Sequence, residues 1–133
     1  NATVKNPEIK KALDVTAEWE KATGESQLPM SCVVVRKEFA QQNPEAVANF
    51  LEEYDESTKW VSANVEEAAA LIGKYDIVPE EVAKLAIPDS AIQCQTGSEA
   101  EEAVNAYLKV LFEQNPKSVG GALPDEGFFY RAQ

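Results

Sequence analysis

The side chains that could do chemistry in this chain are few and scattered. There is no histidine, which removes the commonest general base and the commonest metal ligand from these residues. Acid–base work would fall to Asp, Glu or Lys, and no carboxylate pair stands apart from the charge expected on helical surfaces. Cys32 and Cys94 lie far apart, each in an apolar or strand-like run and without the CxxC spacing of zinc or redox sites. Buried free thiols are the expectation for both. Gly-rich phosphate loops, nucleophile elbows and HExxH patterns are missing. Arg36 could attract an anionic ligand, although an arginine ending a strand more often pairs with a nearby carboxylate.

The totals narrow the field. A chain of 133 residues with 44% apolar residues is one domain by length and has enough for one core. Twelve basic residues against twenty-three acidic ones leave a net charge of −11. Nucleic-acid binding needs Lys and Arg to displace counterions, so that partner class is excluded, as is electrostatic docking to an anionic membrane. No run of about eighteen apolar residues marks a membrane span. Asn1-Ala2 reads as the remnant of a cleaved tag, and no metal or cofactor is expected.

The elements that must position any site are clearer. Met30 to Val35, between Pro29 and the Arg36-Lys37 pair, predicts a strand buried on both faces. Asn43-Pro44 supplies an N-cap and a first-turn proline, and Val47, Phe50, Leu51, Tyr54, Thr58 and Val61 then form one apolar stripe, which predicts a helix over 44–62. Asn64 with Glu67 predicts a capped helix over 65–74, whose Ala-rich stripe should pack on its predecessor. A short helix follows over 79–86. Ile92 and Cys94 alternate with polar neighbours, as in a half-buried strand. The Ser98/Glu101 capping box opens a helix over 98–114, which Asn115-Pro116 stop.

Upstream, Asn6-Pro7 is a possible helix start and Thr16 a possible N-cap. Ala12 to Val15 fits a short strand or a helical turn equally. Trp19 should cover the edge of the core, and Thr23 to Gln27 reads as a loop. Phe128, Phe129 and Tyr130 should dock the C-terminal segment. The fold class expected is α/β, helix-rich, with a few short strands.

The stretch CVVVRKEFAQQNPEAVANFLEEYDESTKWVSANVEEAAALIGKYDIVPEEV, Cys32 to Val82, resembles the distal part of the substrate-binding proteins of ABC importers in the nitrate/sulfonate/taurine and thiamine-pyrimidine-like group. Ala2 to Val4 looks like the end of that family's E-P-x-A-T element, and Tyr107 to Tyr130 like the usual end of one bacterial subgroup.

The resemblance implies a bilobal periplasmic-binding-protein (type II-like) fold of which residues 1–133 form a single partial domain. It also implies an extracytoplasmic protein, lipid-anchored or periplasmic, that is not an enzyme. Such a protein would capture a small ligand, sulfonate-, nitrate- or pyrimidine-like, and deliver it to ABC permease subunits. Thr3 occupies the place of the family threonine near the hinge, and Met30 and Ser31 lie where family members line the cleft. The fragment alone could pair with a second copy as a homodimer. Two rival readings are an acidic helical interaction module and a thiamine-pyrimidine-type enzyme.

Overall fold

A computed structural model describes residues 5–131. Among them there is no strand, and none of the helices is long and apolar enough to cross a membrane. The helix-rich expectation holds, and the strand expectations do not. Among the described residues six α-helices follow one another: α1 (Val15–Thr23), α2 (Lys37–Gln42), α3 (Pro44–Ala63), α4 (Val65–Lys74), α5 (Glu80–Ala86) and α6 (Gly97–Gln114). Short 3-10 turns cover Ile87–Asp89, Pro116–Val119 and Glu126–Phe128. The chain divides into two compact units, Asn1–Lys10 with Glu45–Cys94, and Lys11–Pro44 with Gln95–Gln133.

In the first unit the core is built from small side chains. Ala68, Ala69, Ala83 and Ile87 are buried together, with Val61, Val65 and Ile72 packed around them. The alanine face of α4 therefore meets chiefly α5 and the Ile87–Asp89 turn, not its predecessor α3. Alanines let backbones approach closely, and Gly73 takes that approach to its limit. A Cβ added there would lie 3.0 Å from the Glu80 Cβ and 3.2 Å from the Glu80 backbone N. Lys84 of α5 also pairs with Glu66 of α4. Both side chains are largely exposed, so the pair adds little to what packing supplies.

Helix α3 begins at Pro44 as its first-turn proline predicts, but Asn43 does not cap it. Its Nδ2 instead donates to the Phe39 carbonyl at 3.1 Å, closing α2, a helix that periodicity did not reveal. Asn64 behaves the same way, donating to the Trp60 carbonyl at 2.9 Å with no side-chain cap for α4. Where one helix ends a residue before the next begins, an amide can serve the orphan carbonyls behind it or the orphan N–H groups ahead. Here it serves those behind. The expected stripe on α3 is also narrower than its sequence implies. Val47 and Thr58 are buried, while Phe50 and Tyr54 stack on each other in the open, ring centroids 5.5 Å apart.

In the second unit, Asp14 and not Thr16 caps α1. Its carboxylate accepts from the Thr16 and Ala17 N–H groups at 3.1 and 3.2 Å. Gly24, at φ 79°, closes the other end in the left-handed conformation that glycine tolerates. In the first unit, Asn6 heads a turn, not a helix: its backbone carbonyl accepts from Ile9 N–H. In the second unit again, Trp19 is half-buried and tilted against Tyr107 of α6, centroids 5.5 Å apart. The Ser98/Glu101 box does not form, because α6 starts at Gly97 with Thr96 in the N-cap position, which leaves Ser98 inside the first turn. Glu101 instead accepts two charge-assisted bonds from the Arg131 guanidinium, at 2.8 and 3.2 Å.

Met30 to Val35 forms neither helix nor strand, and Met30 and Val34 are 79% and 80% exposed. It is not the doubly buried strand its composition predicts, since no neighbouring strand lies among the described residues. Ile92 to Cys94 likewise runs without a strand partner. Phe128 is exposed and packs edge-on against half-buried Phe129, so the aromatic cluster seals on itself more than on a core.

Two outcomes follow. Gly73→Ala should lower the denaturation free energy of the protein by about 1–3 kcal/mol, the usual cost of forcing an added methyl into a tight contact, measured by urea titration. Asp14 is held below the ordinary carboxylate range, first by the Ala17 N–H and then by Lys11. Its depressed pKa means that its support of α1 is complete above the ordinary Asp pKa of about 3.9 and is lost as pH falls through the lower folded value. Asp14→Asn should keep the cap and abolish that acid-dependent fraying, read by amide chemical shifts of α1.

Candidate functional site

The first unit carries an open groove of about 580 Å³ along one face of α3. Asp55, Thr58, Lys59 and Ser62 recur at three- and four-residue spacing, which places them on one side of the helix. With Ala63 they form one wall; Ile92, Gln93 and Cys94 form the other. Ala91, just before this second wall, has φ 44°, a conformation that an alanine seldom adopts.

The hydroxyls in this groove are already committed. Thr58 Oγ1 donates to the Asp55 carbonyl at 2.8 Å. Ser62 Oγ donates to the Thr58 carbonyl at 3.1 Å, with the Ile92 carbonyl at 3.3 Å as its alternative acceptor. That second contact ties the 92–94 segment to α3 without a strand ladder. Lys59 pairs with Asp55 one turn earlier.

Lys59 is pushed above the ordinary lysine pKa, first by its hydrogen bond to Asp55 and then by that carboxylate's charge. It therefore presents an ammonium at neutral pH and no free amine, so it can hold a polar ligand atom but cannot serve as a base or nucleophile there. Ile92 and the Ala63 methyl supply the apolar surface. Among the described residues, no group of three or more His, Cys, Asp or Glu could hold a metal ion.

Of the ligand-binding residues implied by the resemblance, Thr3 lies outside the described residues. Met30 and Ser31 sit in an exposed segment of the second unit that is neither helix nor strand. In that unit two further polar atoms, Trp19 Nε1 and Gln27 Oε1, are buried without a hydrogen-bond partner among the described residues. The Gln27 amide is oriented by its Nε2, which donates to Glu99 Oε1 at 3.2 Å.

The two thiols depart from the buried state expected of them. Cys32 is exposed and Cys94 is half-buried in the groove. The groove itself was missed in the sequence because its residues belonged to two different patterns. Thr58 counted toward the apolar stripe, and Asp55 and Lys59 toward the solvent face. The signal available was the 55/58/59/62 spacing of polar residues, and nothing local says that residues 92–94 come to lie against it.

Helix α3 and residues 92–94 thus frame an open groove with charged, polar and apolar side chains along its walls. A family model described as menaquinone biosynthesis matches residues 3–113. That is most of the chain, which therefore belongs to the menaquinone biosynthesis family. No curated protein and no solved structure matches it.

This membership corrects the transport reading. The assignment to ABC-importer substrate-binding proteins, the solute-capture function, the permease partners and the expectation of a protein that is not an enzyme are all overturned, because the family serves a biosynthetic pathway. Neither the interaction module nor the thiamine-pyrimidine enzyme replaces them. The residues that carried the resemblance, the VVVR run, the Asn-Pro helix start and the alanine stripe, describe scaffold features: buried-strand composition, a helix start and close helix packing. Scaffolds of that kind host unrelated activities.

The thiols offer a direct check on the placement of the groove. Iodoacetamide should modify Cys32 faster than Cys94 in the native protein, with peptide mass spectrometry as the readout and equal rates after denaturation. Asp55→Asn should return the Lys59 pKa toward about 10.5, the value for an unperturbed lysine, seen in an NMR titration of its side-chain signals. The sign follows from the raised folded pKa. Whatever stability the pair contributes is present below the ordinary lysine value and lost as pH rises through the raised one.

Proposed function

We propose that this chain is part of an enzyme of menaquinone biosynthesis, and that its residues bind and orient a pathway intermediate. The family match over residues 3–113 is the observation that carries this reading. The chemistry of the groove is consistent with it. Lys59 is an ammonium paired with Asp55, the hydroxyls of Thr58 and Ser62 are bound to carbonyls, and what the groove offers a ligand is charge, shape and apolar contact.

The reading includes the larger architecture. Residues 1–133 are one partial domain of a bilobal fold, with Thr3, Met30 and Ser31 contributing to the ligand cleft of the whole protein. Support comes from the second unit, where no residue of α1, α2 or α6 is buried. Met30, Val33 and Val34 stand more than half exposed in a segment without regular secondary structure. Apolar surface of that kind gains roughly 25 cal/mol for each Å² removed from water, so further polypeptide packed against it would be stabilising.

The test is genetic and chemical together. Deleting the encoding gene in its host should abolish or strongly deplete menaquinone, quantified by mass spectrometry of extracted quinones, with growth restored by added menaquinone. A normal quinone pool in the deletion strain overturns the reading. In the complemented strain, the double replacement Lys59→Met with Asp55→Leu should lower the pool if the groove holds the intermediate. Comparable protein levels on an immunoblot separate that effect from loss of folding.

A further inference from the structure

We draw no further inference here: the strongest candidate, the exposed apolar segment Met30–Val35, which is neither helix nor strand, belongs to the reading just given, and nothing in the structure shows what covers it.

Discussion

The unit Glu45–Cys94 depends on how near two helix backbones can come. Ala68 and Ala69 on α4 meet Ala83 on α5 and Ile87 just beyond it, and Gly73 lets the end of α4 lie against Glu80 at the start of α5. Side chains this small lose almost no rotamer freedom on burial. They contribute through many weak dispersion contacts between closely apposed atoms, not through large apolar area. The corollary is intolerance: a contact made at backbone level has no flexible side chain to yield when a methyl is added.

That contact also positions the groove. The Ile87–Asp89 turn, whose first residue is in the alanine core, hands the chain to residues 90–94. Ser90 Oγ donates to the Ala86 carbonyl at 2.7 Å and secures the exit from α5. Positive φ at Ala91 turns the backbone, and the Ser62 hydroxyl can then reach the Ile92 carbonyl. Cys94 arrives in the groove with Lys59 and Asp55 by this chain of local contacts. The groove is thus a by-product of helix packing that leaves one polar face of α3 only partly covered.

The second unit is held differently. Among its described residues there is no tightly buried cluster, and its ties are directional: the Asp14 cap, the tilted Trp19–Tyr107 pair, the Gln27–Glu99 bond and the Arg131–Glu101 fork. Directional contacts at exposed positions orient segments well but stabilise them weakly. The unpaired valines of the 30–35 run fit the same picture. Their composition is that of an interior strand, and such a strand is stable only with neighbours on both edges and both faces. Sequence patterns of this kind encode packing, which is why they misled toward solute receptors where the family match is to menaquinone biosynthesis. What a cleft binds is decided by a handful of polar groups whose spacing in the chain is arbitrary.

How much could be read beforehand follows the range of the forces involved. The helices from Pro44 to Ala86 and the one ending at Gln114 were legible because periodicity, first-turn proline and stop signals act within a few residues. Their caps were not. Asn43, Asn64 and Glu101 each had two possible partners, and only the folded arrangement chose among them. The same limit applies to the thiols, to the direction in which the alanine face packs, and to the groove, where residues about thirty positions apart along the chain share one hydroxyl. Sequence alone determined that this would be an acidic, helix-rich protein with a small-residue helical core. Tertiary structure alone decided which polar groups meet, because a hydrogen bond of about 3 Å depends on the placement of whole elements, and no local pattern carries that information.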